Sequence, residues 1–366
     1  MASVSVASLR VRCFRNIATA DVEFSPRLNI LRGDNAQGKT SLLEAVYVLS
    51  TSRSFRTSRL ADVISFASPA AHVHARIRER DLLREQTVGI TRSSRVAQVD
   101  GKPVRRLAEY AVLSPTVVFD TASMNLVAGP GSDRRKLMDR LALYASPASY
   151  GHALAYGRAV RARRRLLETA GIGARDLDDW EELIVRHGRA WATARATAIE
   201  CLAPRAQELF CTIARMSPAL TLTFHSGSPA DDDAFRKALA TGRDHDRCHR
   251  SDGTGRHKDD VRVRLGSRDL RSSASQGERR ATVLAIKLAE IDVLRQNRGL
   301  TPLLLLDDVS SELDATRMEA FLAAVRAADP QVLLTTTRPE LIAHHGLWTA
   351  SECCEYRVHA GAIHVV

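Results

Sequence analysis

The chain has 366 residues, 45% of them hydrophobic, enough for two domains or for one large domain carrying an insertion. No uninterrupted apolar run is long enough to span a bilayer, and Met1–Val6 has no charged region followed by an apolar core, so a cytoplasmic protein with no membrane partner is expected. With 53 Lys and Arg against 42 Asp and Glu, the net charge of +11 points to a polyanionic partner, nucleic acid first, although a generally basic solvated surface gives the same total.

From the N-terminus, apolar residues alternate with polar ones from Val4 to Val11, which predicts a strand with Arg10 and Arg12 on its outer side. Ala20 to Phe24 reads as a second strand, and Ser25-Pro26 turns the chain into a third. That third strand, with Leu28, Ile30 and Leu31, runs into Gly33-Asp34-Asn35-Ala36-Gln37-Gly38-Lys39-Thr40, which fits G-x-x-x-x-G-K-[ST]. Leu42, Leu43, Val46 and Leu49 then recur at helical spacing. A strand, a glycine-containing loop and a helix in this order form a phosphate cradle. Gly33 and Gly38 let backbone N–H groups turn inward, Lys39 offers a point charge to β- and γ-phosphates, Thr40 a hydroxyl to Mg²⁺, and the helix start, with Ser41, its positive dipole end.

Beyond this helix, Ser50 to Thr57 is a polar, basic loop with one aromatic, Phe55, and carries Arg53 and Arg56. It is read either as a contact to nucleotide or nucleic acid or as a plain solvated loop. Ala71 to Ile77 and Gln86 to Ile90 are predicted strands, and Ser93 to Val104 a hairpin turning at Asp100-Gly101. After Val117-Val118-Phe119 the pattern changes. Gly129-Pro130-Gly131-Ser132 breaks the chain, Ser132 is expected to cap a helix from Asp133, and helical spacing continues to about residue 217. A first long segment stops at Gly171, and a second, marked by Trp180, Ile184, Trp191 and Leu202, is expected to end at Pro204. Arg158, Arg161, Arg163, Arg164 and Arg165 cluster here, as a solvated face or a phosphate-contact stripe. No sustained heptad repeat supports a long coiled coil.

Leu220, Leu222 and Phe224, then Val261, Val263 and Leu265, alternate again. Thr241 to Asp260 between them reads as a flexible connection. The histidines and cysteine in or near it (His245, Cys248, His249, His257) lack a paired-cysteine motif, and polar loop residues are the better reading than a metal site. The six cysteines of the chain show no disulfide framework. Ser275-Gln276-Gly277-Glu278 opens a helix that stops at Gly299, and a serine and a glycine at a helix start can present hydroxyl and N–H groups to an anion. Leu303 to Leu306 is a buried-strand run ending in Asp307 and Asp308. Asp307 is suited to holding the water shell of Mg²⁺ and Asp308 to positioning or deprotonating the attacking water.

Segment by segment, Ser275 to Glu278 resembles the signature of ATP-binding-cassette ATPases, Leu303 to Asp308 their second acidic motif, Ser311-Glu312-Leu313-Asp314 their D-loop, and Val332 to Thr336 the strand before their switch residue. In that superfamily the signature completes a partner's nucleotide site. The resemblance therefore implies a head-to-head homodimer with ATP in its interface, bound through Gly33 to Ser41 of one copy and Ser275 and Gly277 of the other. Over nearly the whole chain, Phe14-Arg15-Asn16, the phosphate loop, Arg53 to Thr57, Gly129 to Asp139 with Arg134-Arg135, His257 to Asp260, Ala274 to Gly277 and Leu305 to Asp314 resemble the RecF family.

The resemblance implies an α/β fold: a P-loop ATPase head with a β-rich N-terminal lobe and an inserted α-helical domain, without the coiled coils of SMC and Rad50. It would divide into head residues 1–125, an insertion over 126–217 and head residues 218–366. It also implies a cytoplasmic, DNA-binding, slowly hydrolysing ATPase that dimerises with ATP and Mg²⁺, recognises gapped or junction DNA, and works with RecR and RecO to help RecA onto single strands. Its catalytic residues would be Lys39 and Asp308, its metal residues Thr40 and Asp307, and its DNA contacts would come from among Arg53, Arg56, Arg134, Arg135, Arg161 and Arg164. Four positions depart from the common pattern: Ala36 replaces a glycine, Asp308 a glutamate, Glu278 a glutamine, and Thr336 is a weak substitute for the switch histidine. An ABC-type ATPase subunit of a transport or anti-phage system is the alternative reading.

Overall fold

The structure, a computed structural model, describes residues 2–214, 219–309, 315–339 and 347–366. The chain divides into two units, one of Met1–Met124, Glu208–Ser217 and Ser275–Val366, the other of Asn125–Gln207 and Pro218–Ala274.

In the first unit the N-terminal alternation becomes an antiparallel sheet. Ala2–Phe14 pairs with Ile17–Glu23 on one side and Ala70–Glu79 on the other, followed outward by Leu82–Thr91, Arg95–Val99 and Lys102–Pro103. The expected hairpin turn is present: Asp100 and Gly101 both have positive φ, 48° and 74°, as a type I′ turn requires. A second sheet runs in the order Ala362–Val365, Cys353–His359, Leu28–Arg32, Val332–Thr336, Leu303–Asp307 and Thr116–Phe119, parallel except at the first edge strand. Its central strands are buried and mainly apolar because both faces are covered. The helix Lys39–Thr51 packs against strands of both sheets. Twelve of its 13 residues are buried. Helix Gln276–Arg298 is likewise buried over every residue from Ala281 to Leu294.

The second unit is mainly helical, with Gly131–Ala145, Pro147–Thr169, most of Leu177–Ala214, Asp232–Thr241 and Arg243–His249. Tyr156, Ala159, Ile184, Val185, Phe235 and Leu239 form its core, with Trp180 and Trp191 packed against them. It also holds its own sheet, Leu220–His225 with Asp260–Leu265 and Arg268–Asp269. Pro218–Ala274 therefore group with the second unit and Glu208–Ser217 with the first, whereas the expected boundary lay at 218. Alternation identifies a strand, not the sheet it joins.

Three local expectations are corrected. The helix expected from Asp133 starts at Gly131, with extended Pro130 (φ −67°, ψ 154°) rather than Ser132 at the cap position. Pro204 does not end the long helix, which continues to Ala214. A proline inside a helix costs about 3 kcal/mol, but Leu202, Leu209, Phe210 and Ile213 are buried along this stretch, and each such side chain returns roughly 1.5–3 kcal/mol. Thr241 to Asp260 is not a flexible connection, since it forms a helix and a 3₁₀ turn and buries Asp246, Arg256 and Asp259.

The arginine cluster on Pro147–Thr169 is also divided by the fold. Arg163 is 1% exposed and binds Glu181 and Asp246, each at 2.8 Å, and the Leu239 carbonyl at 2.9 Å. Arg165, two residues on, is exposed. Removing one partner of a buried ionic network leaves charge unpaired, so Arg163→Ala should cost about 3–5 kcal/mol. Arg165→Ala should stay within about 0.5 kcal/mol, and the two urea unfolding midpoints separate these outcomes.

Candidate nucleotide site

The phosphate loop leaves the end of Leu28–Arg32 at the C-terminal edge of the parallel sheet, where ligands of open α/β sheets bind. Two glycines are sterically fixed. Gly33 has φ 151°, and a Cβ there would lie 2.3 Å from the Val358 carbonyl oxygen. Gly38 has φ 115° and would press on the Asn16 side chain. The loop is tied down from two directions. The Asn16 side-chain oxygen Oδ1 accepts the Ser41 hydroxyl at 2.8 Å, while the turn at Ala360-Gly361 donates its N–H groups to the Gln37 side-chain and backbone oxygens at 2.7 and 2.9 Å. Lys39 Nζ donates to the Gly33 and Asp34 carbonyls, and burial lowers its pKa. Ala36, at φ 64°, occupies the left-handed region that its replacement of glycine makes unfavourable.

Register brings the acidic strand end beside this loop. Asp307 pairs with Thr335 across Leu303–Asp307 and Val332–Thr336, and Thr335 pairs with Leu31. One oxygen of Asp307 accepts hydroxyls from both Thr40 and Thr335 at 2.8 Å. The Thr335 hydroxyl in turn accepts the Asp308 backbone N–H at 2.9 Å, holding Asp308 at φ 52°. Burial is the first cause that raises the Asp307 pKa, opposed by these two hydroxyl bonds. A carboxylate and a hydroxyl side by side are hard oxygen donors, which fits Mg²⁺ held by Thr40 and Asp307. Among the described residues no group of three or more His, Cys, Asp or Glu is placed to hold a metal, the His245, Cys248, His249 and His257 set included.

A cleft of about 630 Å³ is lined by the phosphate loop together with Arg15, Asn16, Arg56, Asp307, Asp308 and Thr335. Thr121 and Thr337 also reach it. Arg15 and Arg56 share one anchor, Glu44, whose carboxylate is fully buried. Arg15 meets both of its oxygens at 2.7 and 2.9 Å, the Ser54 hydroxyl donates at 2.6 Å, and Arg56 lies at 3.4 Å. The basic loop after the first helix is thus clipped back toward the nucleotide cleft. Arg15, Asn16, Thr335 and Thr337 were not singled out by residue spacing. Thr336 is buried and accepts the Arg338 N–H, so the threonine beyond the strand that lines the cleft is Thr337.

The structure does not bring Ser275 or Gly277 into this cleft. Ser275 caps Gln276–Arg298, its hydroxyl oxygen accepting the Glu278 N–H at 3.2 Å while Glu278 accepts the Ser275 N–H at 2.8 Å. Glu278 therefore has a structural reason to stand at its position: it completes a capping box. Accepting a bond leaves the Ser275 hydroxyl proton free to donate, and both Ser275 and Gln276 are exposed. The D-loop expectation at Ser311 to Asp314 lies outside the described residues.

The basic residues expected to touch DNA separate by burial. Arg134 is 4% exposed and bidentate to Asp260 at 2.6 and 2.9 Å, so its guanidinium is occupied by the protein itself. Arg135 is half-buried, with an N–H on the Asp259 carbonyl. Arg12, Arg53, Arg56, Arg161 and Arg164 are exposed, Arg56 within the nucleotide cleft and Arg164 paired with Asp252. Arg10 is exposed and paired with Asp21 at 2.9 Å.

Comparison with known proteins places the chain among related sequences. The model of the RecF/RecN/SMC N-terminal domain matches residues 5–350. The DNA replication and repair protein RecF of Anaeromyxobacter sp. (strain Fw109-5) is 38% identical over 349 residues, covering 93% of this chain and 94% of that protein. RecF of Thermosynechococcus vestitus is 37% identical, with 90% of each chain covered. Among solved structures, the recombination mediator protein RecF with ATP, in the RecFOR pathway, superposes with a TM-score of 0.87 at 24% identity over 100% of this chain and 98% of that one. An Smc head bound to the C-terminal winged-helix domain of ScpA gives 0.55 at 14% identity, over 99% and 96%. The fold is that of a cassette-type ATPase head.

Two outcomes follow from the loop and the buried acid. Ala36→Gly relieves a left-handed alanine and should stabilise the nucleotide-free protein by roughly 0.5–1 kcal/mol in thermal unfolding. Asp307 has a raised folded pKa, so the native state takes up a proton more readily than the unfolded chain, and stability falls as pH rises through the carboxylate range. Asp307→Asn should therefore melt higher than the parent at neutral pH. The gap should close as pH falls below the unfolded carboxylate pKa of about 4, and Mg²⁺ binding by calorimetry should be lost.

Proposed function

The chain belongs to the RecF family, and we propose that it is an ATP-gated DNA-binding ATPase of recombinational repair and replication whose nucleotide site closes only between two copies. One observation carries this reading. The phosphate loop, Thr40, Asp307, Asp308 and Arg56 line one cleft of a single chain, while Ser275 and Gly277 open a helix elsewhere and expose the Ser275 hydroxyl. A second chain's Ser275 and Gly277 would supply the anion-binding half that the cleft lacks.

In this account Lys39 exchanges the Gly33 and Asp34 carbonyls for the β- and γ-phosphates, which compensates the burial of its charge. Thr40 and Asp307 would hold Mg²⁺, which would supply positive charge against the phosphates. Asp308, fixed by Thr335, orients the attacking water and accepts its proton. Its carboxylate is one methylene shorter than glutamate, which agrees with slow turnover. Arg15 and Arg56, held by Glu44, add positive charge at the same cleft.

ATP binding then becomes dimerisation, and hydrolysis becomes release. The dimer would bind gapped or junction DNA through exposed cations such as Arg53, Arg161 and Arg164 and through half-buried Arg135, with Arg134 excluded by its pairing to Asp260. It would act in the cytoplasm with RecR and RecO to load RecA on single strands, its hydrolysis stimulated by DNA. No helix among the described residues is long and apolar enough to cross a membrane.

Light scattering should show monomer becoming dimer on addition of ATP and Mg²⁺, and no change for Lys39→Met. Asp308→Asn should keep the ATP dimer on DNA while its turnover falls by about 10²-fold or more. A dimer of wild type and Lys39→Met alike without nucleotide would contradict the gating.

A further inference from the structure

The helical unit holds a second cleft, of about 890 Å³, that the nucleotide chemistry does not use. Its volume is within the range of roughly 300–1,000 Å³ typical of small-molecule sites. Its wall is apolar and aromatic, with Ala153, Tyr156, Gly157, Val160 and Trp191. Trp191 is locked in place: its indole N–H donates to Asp139 at 2.9 Å, the Arg195 guanidinium lies 3.8 Å over the ring, and the Tyr156 ring is 5.5 Å away. A ring held this way loses little entropy when something packs against it.

The rim is cationic. Arg161, Arg250 and Lys258 line it, and Arg161 and Arg250 are exposed. Several arginines of this unit are spent on carboxylates, among them Arg134, Arg163, Arg189, Arg195, Arg236 and Arg243. Among the described residues no ion pair is formed by Arg161 or Arg250. Arg250 is moreover held at φ 47° as the cap of Arg243–His249, so the fold maintains a strained residue where this guanidinium stands.

We propose that this cleft binds single-stranded nucleic acid, taking one unstacked base against the Tyr156 and Trp191 wall and its phosphate on Arg161 and Arg250. The proposal rests on the DNA-binding reading above and locates a single-strand contact within it. Charge complementarity selects an anion, and the rigid aromatic wall selects one that carries a flat π-surface beside each charge, as every nucleotide does. An acidic peptide fits less well, because its carboxylates carry no flat π-surface to pack on the Tyr156 and Trp191 wall.

Fluorescence anisotropy of the full-length protein with three labelled probes tests this: a short oligothymidylate, an abasic oligomer of equal length, and a duplex. The oligothymidylate should bind about ten-fold tighter than the abasic strand, and both Arg161→Ala/Arg250→Ala and the cleft-filling Ala153→Met should weaken it by about ten-fold. Duplex binding in the presence of ATP should change less than about three-fold in Ala153→Met. Equal affinity for thymidylate and abasic strands, or unaltered thymidylate binding in both variants, would overturn the proposal. So would polyglutamate competing as well as oligothymidylate, which would reassign the cleft to an acidic protein. Failure of the wild type to bind the duplex would instead contradict the DNA-binding reading itself.

Discussion

One oxygen of Asp307 accepts hydroxyls from Thr40 at the start of the phosphate-loop helix and from Thr335 at the end of the neighbouring strand, both at 2.8 Å. The two donors and the acceptor come from three elements far apart in sequence, and the parallel register of Leu28–Arg32, Val332–Thr336 and Leu303–Asp307 brings them together. Thr335 then passes the constraint on to Asp308 by accepting its N–H. Asp307, Asp308 and the phosphate-loop helix are thus tied together by one small hydrogen-bonded group. Its cost is visible in the raised pKa of Asp307, the expected sign for a buried carboxylate awaiting a cation.

A second constraint works through Glu44. The helix Lys39–Thr51 is buried on nearly all sides, so its one carboxylate must be satisfied, and Arg15, Ser54 and Arg56 do so. The same contacts draw two guanidinium groups to the nucleotide cleft. Structural need and phosphate chemistry are met by the same side chains, so a loop that reads in sequence as a DNA contact belongs in part to the ATP site.

Much of this was legible in sequence where the information is local. The phosphate loop, the hairpin at Asp100-Gly101 and the acidic strand end each declare themselves by spacing over a few residues. Thr335 does not, because a threonine ending an apolar strand carries no mark until register sets it beside Asp307. Glu278 looked like a departure from a motif and is the second half of a helix cap. Arg134 and Arg163 looked like solvent-facing charge because sequence counts charge and not burial; their carboxylate partners Asp260, Glu181 and Asp246 lie between 18 and 126 residues away. The same limit misplaced 218–274, whose strands alternate as head strands would but close a separate small sheet.

The central claim is that Lys39 and Ser275 of one functional site belong to different molecules. Mixing Lys39→Met with Ser275→Arg protein tests it most directly, with DNA-stimulated ATP hydrolysis as the measurement. If the site is composite, each variant alone is inactive, and the mixture regains hydrolysis because a mixed dimer holds one site with both Lys39 and Ser275 intact. A mixture as inactive as its components, under conditions where the two variants associate, would place both residues in the same chain's site and contradict the account.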